Sequence, residues 1–442
     1  MTKKQLYIVV GMIVIIALGF LLALFFISQQ GSKEGTETSN PFANFFPFGK
    51  SGTSETTTGT GGTEPGATNT ETGTGSQTNN NGENVFPVLR EVTEKPTAGL
   101  FSYNKTGKTY VEYAEKETGN IYEVGMEDMR ANRLSNSIIT RVSEAFFGNG
   151  GKSVVLRYVK TNSDIITSFV LDLTKSTRET SSTYNATTTA TTATDNALPS
   201  GKFLSQGIQD MKVSKDSNGL FYLMRTGDFN DRISVGSIFD FQKNKTSEVF
   251  LSPFSEWLPV YFDGSTALLQ TKASQNVPGF LYSFNIKTGD LQKIIGDVSG
   301  MTTLPSPDKQ KILYSKSNRG GITLQIYNQK ESSTIDVSLQ TLPEKCVWKN
   351  DNLSIYCAVP NPFPNGEYPD SWYQGIISFS DDIWKVDAVT GKTVSIFSPR
   401  SLTLKLLDMT NLTLSPSEDF LFFINKRNSS LWAFDLINGV GA

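Results

Sequence analysis

Residues 306–315 read SPDKQKILYS, and residues 415–425 read SPSEDFLFFIN. Each stretch is a polar turn that leads into a short segment of β-branched and aromatic residues, which is typical of a β-hairpin. The same pattern recurs in five further places: KTGKTYVEY (105–113), GNGGKSVVLRYV (148–159), KDSNGLFYLM (215–224), YFDGSTALLQ (261–270) and KNDNLSIYCAV (349–359). Seven copies of one unit therefore follow one another along the chain.

The spacing of the copies indicates the type of repeat. The intervals between equivalent strand positions are 45, 66, 47, 45, 43 and 65 residues, measured at Tyr110, Val155, Phe221, Leu268, Leu313, Tyr356 and Leu421. Insertions of about 20 residues, at 174–197 and 361–375, explain the two long intervals. Because a second hairpin follows most of these strands, each unit supplies four strands at a period of about 45 residues, the period of a propeller blade.

The two ends of the repeat region complement each other. The last unit ends at FDLINGVGA, after what we expect to be its third strand. The segment VLREVT, residues 88–93, precedes the first unit and has the same strand-like residue pattern. We expect it to supply the fourth strand of the last blade, which would remove an open sheet edge. The sequence thus predicts an all-β, seven-bladed β-propeller over residues 85–442.

Composition excludes several classes of site. The 442 residues include no His and two Cys, and the formal net charge is −3. Without His, a Ser-His-Asp triad, a Cys-His pair, and His-ligated zinc or haem cannot form within the chain. Without a basic field, we expect no nucleic-acid partner. Carboxylate chemistry, calcium binding, or binding without chemistry remain.

A membrane anchor is predicted near the N-terminus. Residues 6–28 are 23 positions without a charge, and a helix of that length spans about 34 Å, enough to cross a bilayer core of about 30 Å. A cleaved signal peptide is the alternative, but its apolar core is usually shorter. Lys3 and Lys4 precede the span, so residues 1–5 are expected in the cytoplasm and the rest outside the cell membrane.

The predicted anchor is followed by a Thr/Gly/Ser-rich stalk. Residues 29–84 carry little apolar surface, so they cannot offset the entropy lost on ordering, and we expect them to be disordered. A flexible chain of this length spans about 40–45 Å. The stalk would hold the propeller a few nanometres from the bilayer.

Two of the turns resemble a known family. SPDKQKILYS and SPSEDFLFFI are similar to the S-P-D-G-K turn of TolB-type and WD-repeat-like β-propellers, except that Lys309 replaces the glycine in one copy and Glu418 stands at the turn in the other. The anchored, stalked arrangement also resembles uncharacterised propeller proteins of small-genome bacteria. The resemblance implies protein–protein interaction on the faces of the disc, and it carries no catalytic residue to this chain.

The two cysteines flank one predicted hairpin. If Asp351 and Asn352 are the central residues of a tight two-residue turn, Cys346 lies opposite Cys357, at a hydrogen-bonded and therefore wider position of the ladder. We expect a structural disulfide, because the predicted topology places this domain outside the cell. Two buried free thiols are the alternative.

Acidic residues could support catalysis only if they converge. Asp228, Asp231, Asp381 and Asp382 are candidates, and a glycosidase needs two carboxylates. Nothing in the sequence brings two of them together, and acids in turns usually cap their own backbone or face solvent. We therefore predict no catalytic residue, no metal site and no cofactor.

The second insertion is the predicted contact surface. It places four aromatic residues in a proline-rich loop: Phe363, Tyr368, Trp372 and Tyr373. Rigid aromatic residues on an exposed loop are typical of binding hot spots. Alternatively, the loop folds back and buries its aromatic residues against the blades.

These observations predict a membrane-anchored binding module that is not an enzyme. Its propeller face would bind a protein or a cell-envelope polymer. The alternative from another class is a carboxylate-dependent, glycosidase-like hydrolase on a propeller scaffold, and a third reading is a structural spacer. Paired acids in a concave channel would favour the hydrolase.

Overall fold

The computed structural model describes residues 77–78, 84–136, 139–160, 165–176, 201–227 and 231–439. All of them belong to one compact unit, Thr72–Ala442. The predicted cytoplasmic segment 1–5, the predicted span 6–28 and nearly all of the predicted stalk 29–84 lie outside these ranges. Within these ranges, no helix has both the length and the apolar character that crossing a membrane requires.

The described residues form strands almost throughout. A small sheet pairs β1 (Gln77–Thr78) with β2 (Asn84–Val85), and β3 (Leu89–Thr93) precedes the first blade. Blades one and two consist of β4 (Thr97–Lys105), β5 (Lys108–Glu115), β6 (Ile121–Gly125), β7 (Ala131–Arg133), β8 (Val142–Gly148), β9 (Ser153–Val159), β10 (Ile166–Asp172) and β11 (Gly201–Phe203). Blades three and four consist of β12 (Ile208–Val213), β13 (Gly219–Thr226), β14 (Ile233–Asp240), β15 (Lys245–Ser252), β16 (Trp257–Phe262), β17 (Thr266–Thr271), β18 (Pro278–Asn285) and β19 (Leu291–Ser299).

The later blades repeat the same antiparallel order. Blades five and six consist of β20 (Thr303–Pro305), β21 (Lys311–Asn318), β22 (Gly321–Asn328), β23 (Ser333–Val337), β24 (Cys346–Trp348), β25 (Ser354–Pro360), β26 (Asp381–Asp387) and β27 (Thr393–Phe397). Blade seven consists of β28 (Met409–Leu414), β29 (Phe420–Asn425), β30 (Leu431–Asp435) and β3. Helical turns are short: α1 (Leu173–Ser176), α2 (Asp370–Tyr373), and 3₁₀ turns at Asn149–Gly151, Pro343–Lys345 and Pro399–Ser401.

The first strands of the blades form the inner ring. Strand β28 contacts β4, and the contacts continue through β8, β12, β16 and β20. The turn Pro343–Lys345 contacts β20, and β24 contacts β28, which closes the circle. In a propeller these inner strands surround a central channel. The predicted all-β, seven-bladed propeller is therefore confirmed for the described residues. We call the end of the ring at which the first strands begin the channel mouth.

The N-terminal strand completes the last blade. Leu89 lies opposite Phe434, so β3 is the outermost strand of blade seven, while β4 begins blade one. The buried Arg90 guanidinium donates to the Met126 carbonyl of blade one at 2.6 Å and to Asp435 of blade seven at 3.1 Å. One short segment thus connects the first and last blades.

Repeated turn chemistry explains the repeated hairpins. Ser306 Oγ donates to Asp308 at 2.6 Å and accepts the Lys311 amide at 3.0 Å. Ser214 Oγ likewise donates to Asp216 at 2.5 Å. Lys309 has a φ of +66°, in the left-handed region that favours glycine. These side-chain bonds hold the turn in a conformation that glycine would otherwise favour.

The core is divided among the interfaces between blades. Buried apolar residues of each blade pack against those of the next, and an equivalent cluster joins blade seven to blade one through Phe422 and Val111. Both side chains are fully buried. The ring is therefore stabilised by every interface, including the one that closes it.

The predicted disulfide between Cys346 and Cys357 is confirmed. The two residues lie opposite each other in the β24–β25 pair, with their Cα atoms 4.0 Å apart. The predicted turn is corrected: the Lys349 amide donates to the Ser354 carbonyl at 2.9 Å, so the loop has four residues, 350–353. Counting along the ladder from that bonded pair places the cysteines at a non-hydrogen-bonded, narrower position.

Candidate active site

The predicted acidic candidates do not form an open site. Asp381 and Asp382 are 1% and 6% exposed, and each is held by protein groups. Asp382 accepts Asn361 Nδ2 at 2.7 Å and Ser398 Oγ at 2.6 Å. Asp231 is exposed, and Asp228 lies outside the described residues. Asp381 and Asp382 therefore stabilise the fold and are not open to a ligand.

Asp381 belongs to a buried ion cluster. Lys345 Nζ, fully buried, lies 2.8 Å from Asp381 and 2.7 Å from Asp408. It also donates to the Met409 carbonyl at 2.8 Å. Burial, together with the Asp408 carboxylate, raises the pKa of Asp381 to about 6, although the Lys345 ammonium opposes this shift. The cluster connects blades six and seven. Because none of its three side chains is open to solvent, it cannot bind a substrate.

The second insertion covers this cluster. Tyr368 and Trp372 are 0% and 5% exposed, and Phe363 packs against them with part of its ring covered. Trp372 Nε1 donates to both Asp408 oxygens, at 3.2 and 3.1 Å. Three of the four predicted contact residues are thus packed into the fold, as in the alternative in which the loop folds back. Tyr373 remains 45% exposed, and its hydroxyl donates to Glu344.

A different pair of carboxylates lies at the channel mouth. Glu144 and Asp210 stand near the beginning of the neighbouring inner strands β8 and β12. In both strands the register shifts just before the acid, between Val142 and Glu144 and between Ile208 and Asp210. Such β-bulges re-aim side chains, and similar register shifts in β4, β16 and β28 show that they are a repeated feature of the inner strands. The two acids therefore occupy equivalent positions on adjacent blades.

Arg157 joins the two strands that carry these acids. It lies opposite Glu144 on β9, and its Nη1 forms a salt bridge with that carboxylate. Its Nη2 donates to the carbonyls of Ile208 and Gln209 on β12, at 3.0 and 3.3 Å. The Arg157 side chain is 5% exposed, whereas the Glu144 side chain is 48% exposed. Glu144 thus has a buried, fixed partner while its own side chain remains open to solvent.

The two acids differ in their electrostatic surroundings. Burial raises the pKa of Asp210 to about 6, and the Glu144 charge adds to the effect. The Met211 amide at 2.7 Å and the Arg157 charge oppose this shift only in part. A carboxyl group with a raised pKa beside a second carboxylate is a candidate general acid.

Cationic side chains border the pair. Burial lowers the pKa of Lys212, on the same strand as Asp210, and that of Lys116, in which the Glu144 charge opposes the effect. Lys212 nevertheless has an exposed side chain, as does Tyr373, whose pKa burial raises strongly.

Sequence analysis missed Glu144 and Asp210. They lie in the stretches RVSEAFF and GIQDMKV, which carry no turn signature and resemble ordinary strands. The one available signal was their common place at the beginning of an inner strand. Among the described residues, no group of three or more His, Cys, Asp or Glu could hold a metal ion.

The sequence matches no known protein family and no curated protein. Solved structures with the same fold include an oligogalacturonate lyase from Vibrio parahaemolyticus, at TM-score 0.52 and 10% identity over 78% of this chain and 93% of that one. The propeller domain of the Trilobed protease from Pyrococcus furiosus has TM-score 0.47 and 14% identity, covering 77% and 96%. An acylaminoacyl peptidase from Pyrococcus horikoshii has TM-score 0.46 and 11% identity, covering 73% and 48%.

These comparisons correct the functional prediction. The sequence predicts a non-enzymatic binding module because the resemblance to TolB-type and WD-repeat-like propellers implies protein–protein interaction and carries no catalytic residue. The solved propeller at TM-score 0.52 is an oligogalacturonate lyase, so a propeller of this kind does not by itself imply binding without catalysis, and the prediction is corrected on this point. The likeness at this identity shows the fold alone, and it transfers neither substrate nor residue roles.

Proposed function

We propose that the chain is a carboxylate-dependent hydrolase that cleaves a polysaccharide at the channel mouth. The observation that carries the proposal is the pair of Glu144 and Asp210, placed at equivalent bulges of adjacent inner strands and held in different environments. Glycoside hydrolysis needs these two functions, a proton donor and a carboxylate.

In the proposed reaction, Asp210 is the acid and Glu144 the base. Asp210 donates its proton to the glycosidic oxygen as the bond from that oxygen to the anomeric carbon breaks. Water attacks the anomeric carbon, and Glu144 accepts the proton that the water loses. Arg157 is a positioning residue, because its bonds to Glu144, Ile208 and Gln209 maintain the spacing of β8 and β12. The next turnover requires the transfer of one proton from Glu144 to Asp210 through solvent.

The cellular setting is part of the proposal. A predicted membrane helix at 6–28 and a stalk at 29–84 would place the propeller outside the cell membrane, where a cell-envelope polymer is the natural substrate. This arrangement is similar to that of membrane-anchored propellers of small-genome bacteria. Lys116, Arg157 and Lys212 give the site positive side chains, so polymers containing uronic acids belong among the candidate substrates.

The test is polymer cleavage by the full-length chain. Neutral and uronic-acid polysaccharides are incubated with the protein, and new reducing ends are counted. We expect Asp210→Asn and Glu144→Gln each to lower the rate by about 10²-fold or more, the usual contribution of general acid–base catalysis. Asp231→Asn, at an exposed acid from the original candidates, is the matched control and should leave the rate unchanged. Full activity in Asp210→Asn would refute the assignment.

A further inference from the structure

A second acidic site lies away from the channel, between blades one and two. A cavity of about 300 Å³ is lined there by Tyr103, Glu112, Leu134, Gly151 and Leu173. Its walls are mostly apolar, and two lysines, Lys105 and Lys152, stand exposed at its rim. The proposed hydrolase uses none of these residues.

Glu112 is the unusual group in this cavity. It lies on β5 with 7% of its surface exposed, and its Oε2 atom is buried with no hydrogen-bond partner. A buried carboxylate oxygen normally accepts at least one hydrogen bond. Gly151, at a φ of +86°, approaches this atom closely, and a Cβ there would lie 2.7 Å from Oε2 and 3.0 Å from the Phe101 ring, too near for both. Oε2 is therefore an unpaired carboxylate oxygen of a residue that lines the cavity.

A second carboxylate lies beside it. Glu123 on β6 is directly opposite Glu112 in the sheet, and Tyr103 donates its hydroxyl to Glu123. Burial, reinforced by the Glu123 charge, raises the pKa of Glu112 to about 8. The titratable groups facing Glu112 are thus Glu123, Tyr103 and the two rim lysines. A cation bound beside Glu112 would favour its ionised form.

We propose that this cavity binds a primary alkylammonium group, with Glu112 as its counter-ion. An ammonium has three N–H donors, one of which would satisfy Oε2. The attached alkyl chain would cover Leu134 and Leu173, which a hydrated inorganic ion could not do. Calcium needs about six to eight oxygen ligands, and the carboxylates of Glu112 and Glu123 supply at most four.

The first test is calorimetric titration of the full-length chain with n-butylammonium chloride near pH 6, 7 and 8. Because Glu112 must lose its proton on binding, the affinity should rise about 10-fold per pH unit up to pH 8 and then level off. At pH 7, heats measured in buffers of different ionisation enthalpy should show nearly one proton released per ligand bound. An affinity independent of pH would overturn the proposal.

Variants locate the site. Glu112→Gln copies the neutral empty state, so it should fold and yet lower the affinity at pH 8 at least 10-fold. Glu127→Gln, at an exposed glutamate beyond the end of β6, is the matched control and should leave the affinity unchanged. Gly151→Ala should also lower the affinity, because its Cβ would collide with Oε2 and displace the Glu112 carboxylate, with thermal unfolding checked in parallel. Equal affinity in Glu112→Gln and the parent chain would overturn the assignment.

Ligand controls separate the chemistries. Binding of 1-butanol as tight as that of butylammonium would show an apolar cavity with no role for charge, and binding of calcium or magnesium without butylammonium would show an inorganic cation site. Either result overturns the proposal. Tighter binding of spermidine would identify a free polyamine as the natural ligand. Tighter binding of Nα-acetyl-lysine N-methylamide would identify a lysine side chain of a polypeptide.

Discussion

Replacing Lys345 by Met should reveal how strongly the buried ion cluster supports the ring. Lys345 Nζ makes three contacts of 2.7 to 2.8 Å, with Asp381, Asp408 and the Met409 carbonyl. The substitution removes the one cation that contacts both buried carboxylates among the described residues. Removing one partner of a buried ion pair costs about 3–5 kcal/mol, so we expect the free energy of unfolding near pH 7.5 to fall by that amount.

The pH dependence distinguishes this mechanism from a simple loss of packing. The pKa of Asp381 is raised to about 6 even with Lys345 present, and losing the lysine should raise it further. A group whose folded pKa is raised contributes stability at low pH and loses that contribution as the pH rises through the folded pKa. The penalty of Lys345→Met should therefore be clearly smaller near pH 5 than near pH 7.5.

The assay is urea unfolding followed by tryptophan fluorescence at both pH values. Lys349→Met is the matched control, because Lys349 is part-exposed and lies 3.4 and 3.2 Å from Asp351 and Glu418. Such a surface pair contributes about 0–1 kcal/mol. If Lys345→Met does not fold near pH 7.5, recovery of folding near pH 5 provides the same test. Equal costs for the two lysines, or an equal cost at the two pH values, would refute the reasoning.

Three further predictions concern other parts of the chain. Cys357→Ala removes a disulfide that closes a sequence separation of 11 residues, and it should lower the free energy of unfolding by at most about 3 kcal/mol. A reductant should then lower the Tm of the parent chain but not that of the variant. Arg90→Ala should lower stability by about 2–4 kcal/mol, since it leaves the buried Asp435 without its ion partner; limited proteolysis should then cut first near β3. The kcat/KM for a cleaved polymer should fall about 10-fold per pH unit above pH 6 as Asp210 loses its proton, and a flat pH–rate profile would contradict its role as the acid.

The repeat could be read from the sequence because it is built from local signals. The turn around Ser306 and Asp308 and the strand Lys311–Asn318 are contiguous in the chain. Turn residues and β-branched runs act over fewer than about ten positions, so their period predicts the number of blades. The cysteine pair could be predicted for the same reason, since both residues belong to one hairpin.

The candidate site could not be read in this way. Arg157 reaches the carbonyl of Ile208, which lies 51 positions further along the chain. Whether Glu144 and Asp210 approach each other depends on two β-bulges and on how blades two and three pack. The insertion residues posed the same problem, because the cover over Tyr368 and Trp372 comes from residues of other strands and loops, including Ile322 and Phe379.

The sequence by itself determined the blade unit, its sevenfold repetition and the pairing of Cys346 with Cys357, because each depends on residues that are neighbours along the chain. The tertiary structure decided which acids are open, which are buried, and which carry a shifted pKa. Desolvation and charge pairing depend on all atoms within a few ångströms, and in a ring of blades most of those atoms come from a different repeat. The fold of this chain thus follows from its sequence repeat, whereas its candidate chemistry depends on how neighbouring blades pack together.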